Sequence, residues 1–169
     1  MPEHRTRGRA KPLYTPEERR RRDGSAWTIV QGVLAPVQFA AFLLSLILVV
    51  RFLATGDGLF AATVSVVVKT VLLYAIMVTG SVWEKRVFGR WLFAPAFFWE
   101  DVVSMLVLAL HTAYLAALAT GELDPRAQMW LALAAYATYV VNAAQFVWKL
   151  RLARVGSQPG GGALAGAAG

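Results

Sequence analysis

Four apolar runs, each at or beyond the roughly 20 residues that carry a helix across a bilayer, leave this chain few ways to fold. They cover about Trp27 to Leu53, Leu59 to Val82, Phe97 to Thr120 and Arg126 to Trp148. Inside hydrocarbon every backbone N–H and C=O must find its partner within the chain, and a helix does this segment by segment. Of 169 residues 57% are hydrophobic and 16% charged, so little is left over for a domain outside the membrane. The expected fold is all-α: an integral membrane bundle of four transmembrane helices (25–153). A basic cytoplasmic segment with a short helix (1–24) precedes it, and a disordered Gly/Ala-rich tail (154–169) follows. The first run is too long for a signal-peptide core and has no small-residue cleavage site, so it reads as a retained span. With no cysteine, disulfides, thiolate metal sites and a Cys nucleophile are excluded.

The net charge of +7 first suggests nucleic acid, but the basic residues are sorted by side. Fourteen of the 17 Lys and Arg residues lie before the first span, in the loop after the second or after the fourth. Only Arg51 and Arg126 flank the other side, and Lys69 lies within a span. The positive-inside rule then puts both termini and the middle loop in the cytoplasm. The bilayer is the expected partner, and nucleic acid is not. Thr15, Pro16 and Glu18 form a capping-box pattern that starts a short helix through Arg22. Its four arginines suit anionic headgroups, at about 1 kcal/mol each.

Polar residues inside the spans carry the functional signal. After Pro95, which reads as a helix start, Glu100, Ser104, Val107, His111 and Tyr114 recur at four, three, four and three residues and so share one face. Asp101 points about 100° away. Two readings of the carboxyl pair stand: helix-start electrostatics, or an acid–base site in which Glu100, beyond the first turn and among Phe97, Phe98 and Trp99, is kept uncharged. In the first span Gln31, Gln38 and Ser45 form a seven-residue stripe that bonds to other helices or faces a ligand. Lys69 sits near the middle of the second, where a charge costs about 2.5–3.5 kcal/mol on insertion scales. It is either neutral, paired with a carboxylate or holding an anionic ligand group. His111 makes a helix–helix hydrogen bond or an axial contact to a chelated magnesium; with His4 the only other histidine, a bis-histidine haem is excluded. The stretch from Trp83 to Trp99 reads as an aromatic cytoplasmic loop, serving as interfacial anchor or as rim for a large aromatic ligand, with Arg86 and Arg90 near an acidic substituent. Asn142 and Gln145 reach the depth of Glu100 and Gln31. Together these residues outline a polar pocket in the cytoplasmic half, suited to proton transfer on a lipophilic substrate or to binding one.

Four segments, TPEERRRRDGSAWTIVQGVLAPVQF, VKTVLLYAIMVTGSVWEKRVFG, LFAPAFFWEDVVSMLVLALHTAYLAAL and LDPRAQMWLALAAYATYVVNAAQF, resemble the 3-vinyl bacteriochlorophyllide hydratase family of bacteriochlorophyll biosynthesis. The resemblance runs from about Tyr14 to Leu152, and FAPAFFWED is its most specific part. It implies a hydro-lyase of the bacterial inner (cytoplasmic or intracytoplasmic photosynthetic) membrane, with pathway enzymes as neighbours. The implied reaction adds water to the C3-vinyl group of chlorophyllide a or 3-vinyl bacteriochlorophyllide a, giving the 3-(1-hydroxyethyl) product. No cofactor is implied, because the substrate brings its own magnesium. On the residues' own chemistry, Glu100 is then the acid, and Asp101 with Asn142 or Gln145 orients water. Lys69 or Arg86 takes the propionate, His111 approaches the magnesium, and Gln31, Gln38 and Ser104 line the substrate. The alternative is a pigment-binding or photosystem assembly protein without chemistry.

Overall fold

The computed structural model describes residues 13–155; the expectations for residues 1–12 and for the tail from 156 onward lie outside the described residues. Five helices follow one another: α1 (Pro16–Asp23), α2 (Ala26–Thr55), α3 (Leu59–Phe88), α4 (Phe98–Thr120) and α5 (Pro125–Val155). The described residues contain no strand. Helices α2 to α5 are each long and apolar enough to cross a membrane.

Local chemistry sets most boundaries. Thr15 and Glu18 close the expected capping box on α1, while Asp124 accepts the N–H groups of Arg126 and Ala127 at 2.9 and 3.1 Å and Pro125 opens α5. Helix α4 stops at Gly121 (φ +67°), a left-handed position that glycine adopts without steric cost. Ser25 precedes α2 but its side chain makes no cap bond; Thr28 Oγ1 instead donates to the Arg22 carbonyl.

Two boundaries differ from the sequence reading. Helix α3 continues six residues past Val82, so Trp83, Glu84, Lys85 and Arg86 are helical and not part of a loop. Trp83, Val87 and Phe88 pack there into an aromatic cluster with Tyr14, Phe97 and Phe146, and that contact holds the last turns. Tyr14, in the basic N-terminal segment, is consequently buried. Helix α4 begins at Phe98, three residues after Pro95, because Pro95 lies in a turn closed by the Phe97 N–H on the Ala94 carbonyl (2.8 Å). Both Glu100 and Asp101 therefore fall in the first turn, where the helix dipole favours negative charge. At the other end α5 runs on through Arg154 and Val155.

The chain packs as two tight antiparallel hairpins, α2–α3 and α4–α5, which meet through α2–α5 and more sparsely through α3–α4. Phe42, Val49, Val66, Leu73, Val107 and Tyr136 are among the residues of the shared core. Lipid is as apolar as these side chains, so specificity comes from close packing and from polar bonds between helices. Ser45 Oγ joins Ser65 on α3 to the Tyr136 hydroxyl on α5. Lys69, fully buried, lies 2.6 Å from His111 Nε2 across the α3–α4 seam. His111 Nδ1 sits 2.8 Å from the Val107 carbonyl and must donate to it, leaving Nε2 to accept from Lys69. The rings of Tyr139 and Tyr136, with centroids 4.2 and 5.2 Å from the amine, complete the enclosure. Among the described residues no carboxylate pairs with Lys69.

An unmet buried donor costs more than a bond is worth, by about 1–3 kcal/mol. His111→Leu, which strands the Lys69 amine, should therefore destabilise the protein by about that much. The double variant Lys69→Met/His111→Leu should recover part of the loss. Denaturant unfolding in mixed micelles tests this; a double variant less stable than His111→Leu would refute it.

Candidate functional site where α4 begins at the α3–α4 seam

The first turn of α4 presents two carboxyls to two different helices. Asp101 turns to α3, where its side chain hydrogen-bonds that of Glu84. Glu100 turns to α5, where its carboxylate accepts from the Lys149 amine. All three acids are buried. Two fully ionised carboxylates offer no donor, so a hydrogen bond between Glu84 and Asp101 requires one of them to hold a proton.

The segment 89–97 folds back over this pair. The Phe93 N–H donates to Asp101 Oδ2 at 2.7 Å and the Ala94 N–H to Glu84 Oε2 at 3.2 Å. Phe93 has φ +59° and is, among the described residues, the one non-glycine with positive φ. Such a backbone costs on the order of 1–3 kcal/mol and persists where the surroundings over-determine it. Here the carboxylate bond does so. The aromatic residues of this region divide: Trp83, Phe88 and Phe97 pack inward with Tyr14 and Phe146, whereas Trp91, Phe93, Phe98 and Trp99 are exposed.

On the other side of α4, α5 presents Asn142, Gln145 and Lys149 at steps of three and four residues. Asn142 Nδ2 donates to Ser104 Oγ at 2.8 Å and Lys149 bonds Glu100, so Gln145 lies between two bonded pairs. Asn142 Oδ1 and Gln145 Oε1 are buried without a partner, as is Gln38 Nε2 on α2. Contacts Ser45–Tyr136 and Phe42–Tyr139 fix the antiparallel register of α2 against α5, and continuing it by one turn brings Gln38 level with Asn142. Buried amides without protein partners are where water or a ligand's polar group is taken up.

Not every expected residue joins this group. Gln31 Nε2 donates to Thr79 Oγ1 at 2.7 Å and packs on Gly80, an α2–α3 contact. Lys69 and His111 lie deeper: eleven residues separate His111 from Glu100, about 16 Å along the helix axis. That separation exceeds what one group near the centre of a macrocycle and another at its edge can share. Arg86 is exposed at the end of α3, in no ion pair among the described residues, with Arg90 exposed beyond it. The seam reaches the molecular surface, because the Tyr74–Thr112 bond that crosses it (2.8 Å) is exposed. A separate groove of about 460 Å³ is lined by Tyr14, Pro16, Arg19, Arg20 and Asp23; none of the seam's acids touches it.

Sequence reasoning passed over Glu84 and Lys149. A signal existed for each: Val66, Leu73, Glu84 and Val87 continue one buried face of α3 once the helix is extended past Val82, and Lys149 follows Gln145 at i+4. Both were hidden by reading charge near a span's end as solvated.

Residues 14–152 match a family described as 2-vinyl bacteriochlorophyllide hydratase (BCHF). A 2-vinyl bacteriochlorophyllide hydratase of Rhodobacter capsulatus is 68% identical over 145 residues, 86% of this chain and 84% of that one. Another, of Cereibacter sphaeroides, is 65% identical over 143 residues, 85% of this chain and 89% of that one. No solved structure matches. At this identity and coverage, with four spans and a buried acid cluster inside the matched region, the chain belongs to the 2-vinyl bacteriochlorophyllide hydratase family.

Proposed function

We propose that this chain is a hydro-lyase of bacteriochlorophyll biosynthesis that adds water across the vinyl group of a chlorophyllide or bacteriochlorophyllide, the chemistry its relatives are named for. The observation that carries the residue-level reading is the buried acid group at the seam, with Glu84 and Asp101 on one side of α4 and Glu100 beside unpartnered amides on the other. Hydration to a 1-hydroxyethyl group requires a proton on the terminal vinyl carbon and water on the inner carbon, where the cation is delocalised into the macrocycle. The Lys149 amine on Glu100 favours Glu100 as a carboxylate that accepts, and Asp101 as the group that delivers the proton. This exchanges the roles expected from sequence. Water is then oriented by Glu100 with Gln145 and Asn142. Arg86 meets the propionate at the headgroup level, and the exposed rings of Trp91, Phe93, Phe98 and Trp99 border the entry from lipid.

The preferred orientation follows from charge: α1, segment 89–97 and the C-terminal end of α5 face the cytoplasm of a bacterial inner membrane. His111 is too deep to reach the magnesium of a pigment reacting at Asp101. It is read instead as the partner of Lys69.

Membranes containing the chain should convert chlorophyllide a into a product heavier by one water; a pigment-binding or assembly protein would retain the pigment unchanged. Asp101→Asn should lower kcat by about 10²–10⁴-fold, the usual contribution of general acid–base catalysis, while a fluorescence titration shows pigment still bound. Arg86→Ala should raise KM with kcat nearly unchanged, since it removes binding shared by ground and transition states. The chain has no cysteine, so orientation can be read from single introduced ones. In spheroplasts an impermeant maleimide should label Asp57→Cys at once and Arg90→Cys after permeabilisation; the reverse order would invert the topology.

A further inference from the structure

We infer that Glu84 is a positioning residue of the reaction: it shares a proton with Asp101 across the α3–α4 seam, so that the two carboxyls work as one acid. The inference rests on the hydratase reading above and adds a residue from a different helix.

Three observations carry it. First, Glu84 and Asp101 are buried, at 5% and 4% exposure, and are held side by side by the adjacent N–H groups of Ala94 and Phe93; a hydrogen bond between two such carboxyls needs one proton between them. Second, each keeps its other contact to a backbone N–H of the same short segment, Ala94 for Glu84 and Phe93 for Asp101. The pair is thus oriented by a segment whose strained Phe93 would relax without the bond. Third, a polar side chain without a full set of partners lies on the α5 side of the same end of α4. Asn142, nine-tenths buried, reaches α4 at Ser104, one turn from Asp101, with its carbonyl unpartnered. The buried acids at this end of the bundle are Glu84 on α3 and Glu100 and Asp101 on α4, while Lys85, Arg86 and Arg90 are exposed. Lys149 is already engaged by Glu100, which leaves the Glu84–Asp101 pair to carry its own proton.

The step balances within the pair. A carboxyl O–H of the pair gives its proton to the terminal vinyl carbon as the vinyl π bond opens. The inner carbon, now cationic, takes the oxygen of water, and the water's surplus proton returns to the pair. One water is consumed, one C–H and one C–O bond form, nothing is oxidised or reduced, and the acid is restored. Glu84 acts through Asp101: without a second carboxyl, Asp101 alone would be anchored by the Phe93 amide as a bare acceptor.

The test compares Glu84→Gln, which keeps a hydrogen bond to Asp101 but cannot share a carboxyl proton, with Glu84→Asp and the wild type in membranes. Glu84→Gln should lose activity by about 10²-fold or more, with KM and pigment affinity within threefold of wild type, and Glu84→Asp should restore part of kcat. Infrared difference spectra in H₂O and D₂O should show one protonated-carboxyl band that disappears in both Glu84→Gln and Asp101→Asn. Glu84→Gln with wild-type kcat, or a carboxyl band unchanged by it, would overturn the inference. So would loss of pigment affinity in both Glu84 variants with the band retained, since Glu84 would then be holding the fold. A wild-type chain that leaves chlorophyllide a unhydrated would refute the hydratase reading itself, a result distinct from these.

Discussion

The bundle depends on polar groups meeting one another where water is absent. Lipid chains give no hydrophobic preference for one helix packing over another, so registers are set by shape and by bonds between helices. Each such bond joins specific partners: Ser45 with Ser65 and Tyr136, Lys69 with His111, Ser104 with Asn142, Glu100 with Lys149. Two tight hairpins would otherwise be free to slide along a largely apolar interface. The α3–α4 seam illustrates it best, because those helices touch sparsely and meet through Lys69–His111, Tyr74–Thr112 and Glu84–Asp101.

This dependence also explains which parts were legible in the sequence. A polar residue in an apolar run has to face inward, so the stripe Glu100, Ser104, Val107, His111 and Tyr114 could be recognised by spacing alone, and all five are buried. Partners were not legible. Nothing in the spacing says that Lys69 meets an imidazole and no carboxylate, or that Gln31 bonds Thr79, because that depends on which helices become neighbours. Helix ends failed for a related reason. Hydropathy falls at Trp83 to Arg86, yet α3 continues because Tyr14, Phe97 and Phe146, distant in sequence, cover its last turns. Glu84 was lost with that boundary, and with it the second half of the acid pair.

Depth separates the two polar groups of the bundle by role. Lys69 and His111 close on each other and on tyrosine rings, with no surface exposure; a group so enclosed sets the register. The acids lie near the helix ends, where water and protons can be exchanged and where unpartnered amides on α5 remain. An amphiphilic pigment favours that same level. In the proposed reading its ring lies with the apolar rims and its carboxylate with the exposed Arg86, so the interface that supplies water is also the level at which the substrate floats.

In the proposed reaction, with Lys149 matched to Glu100, the Glu84–Asp101 pair and its shared proton bring one net negative charge to an enclosed site. Moving the proton to the vinyl carbon creates a cation on the macrocycle and a second negative charge on the pair, side by side. In surroundings less polarisable than water, opposite charges a few ångströms apart attract far more strongly than in solution, and the carboxylates need not reorganise to receive the cation. The same proximity limits the cation's lifetime, because the water beside Glu100 adds to it and the released proton has the nearest available base waiting. Two acids on two helices, tied to one strained segment, keep donor and acceptor in one place through the whole cycle.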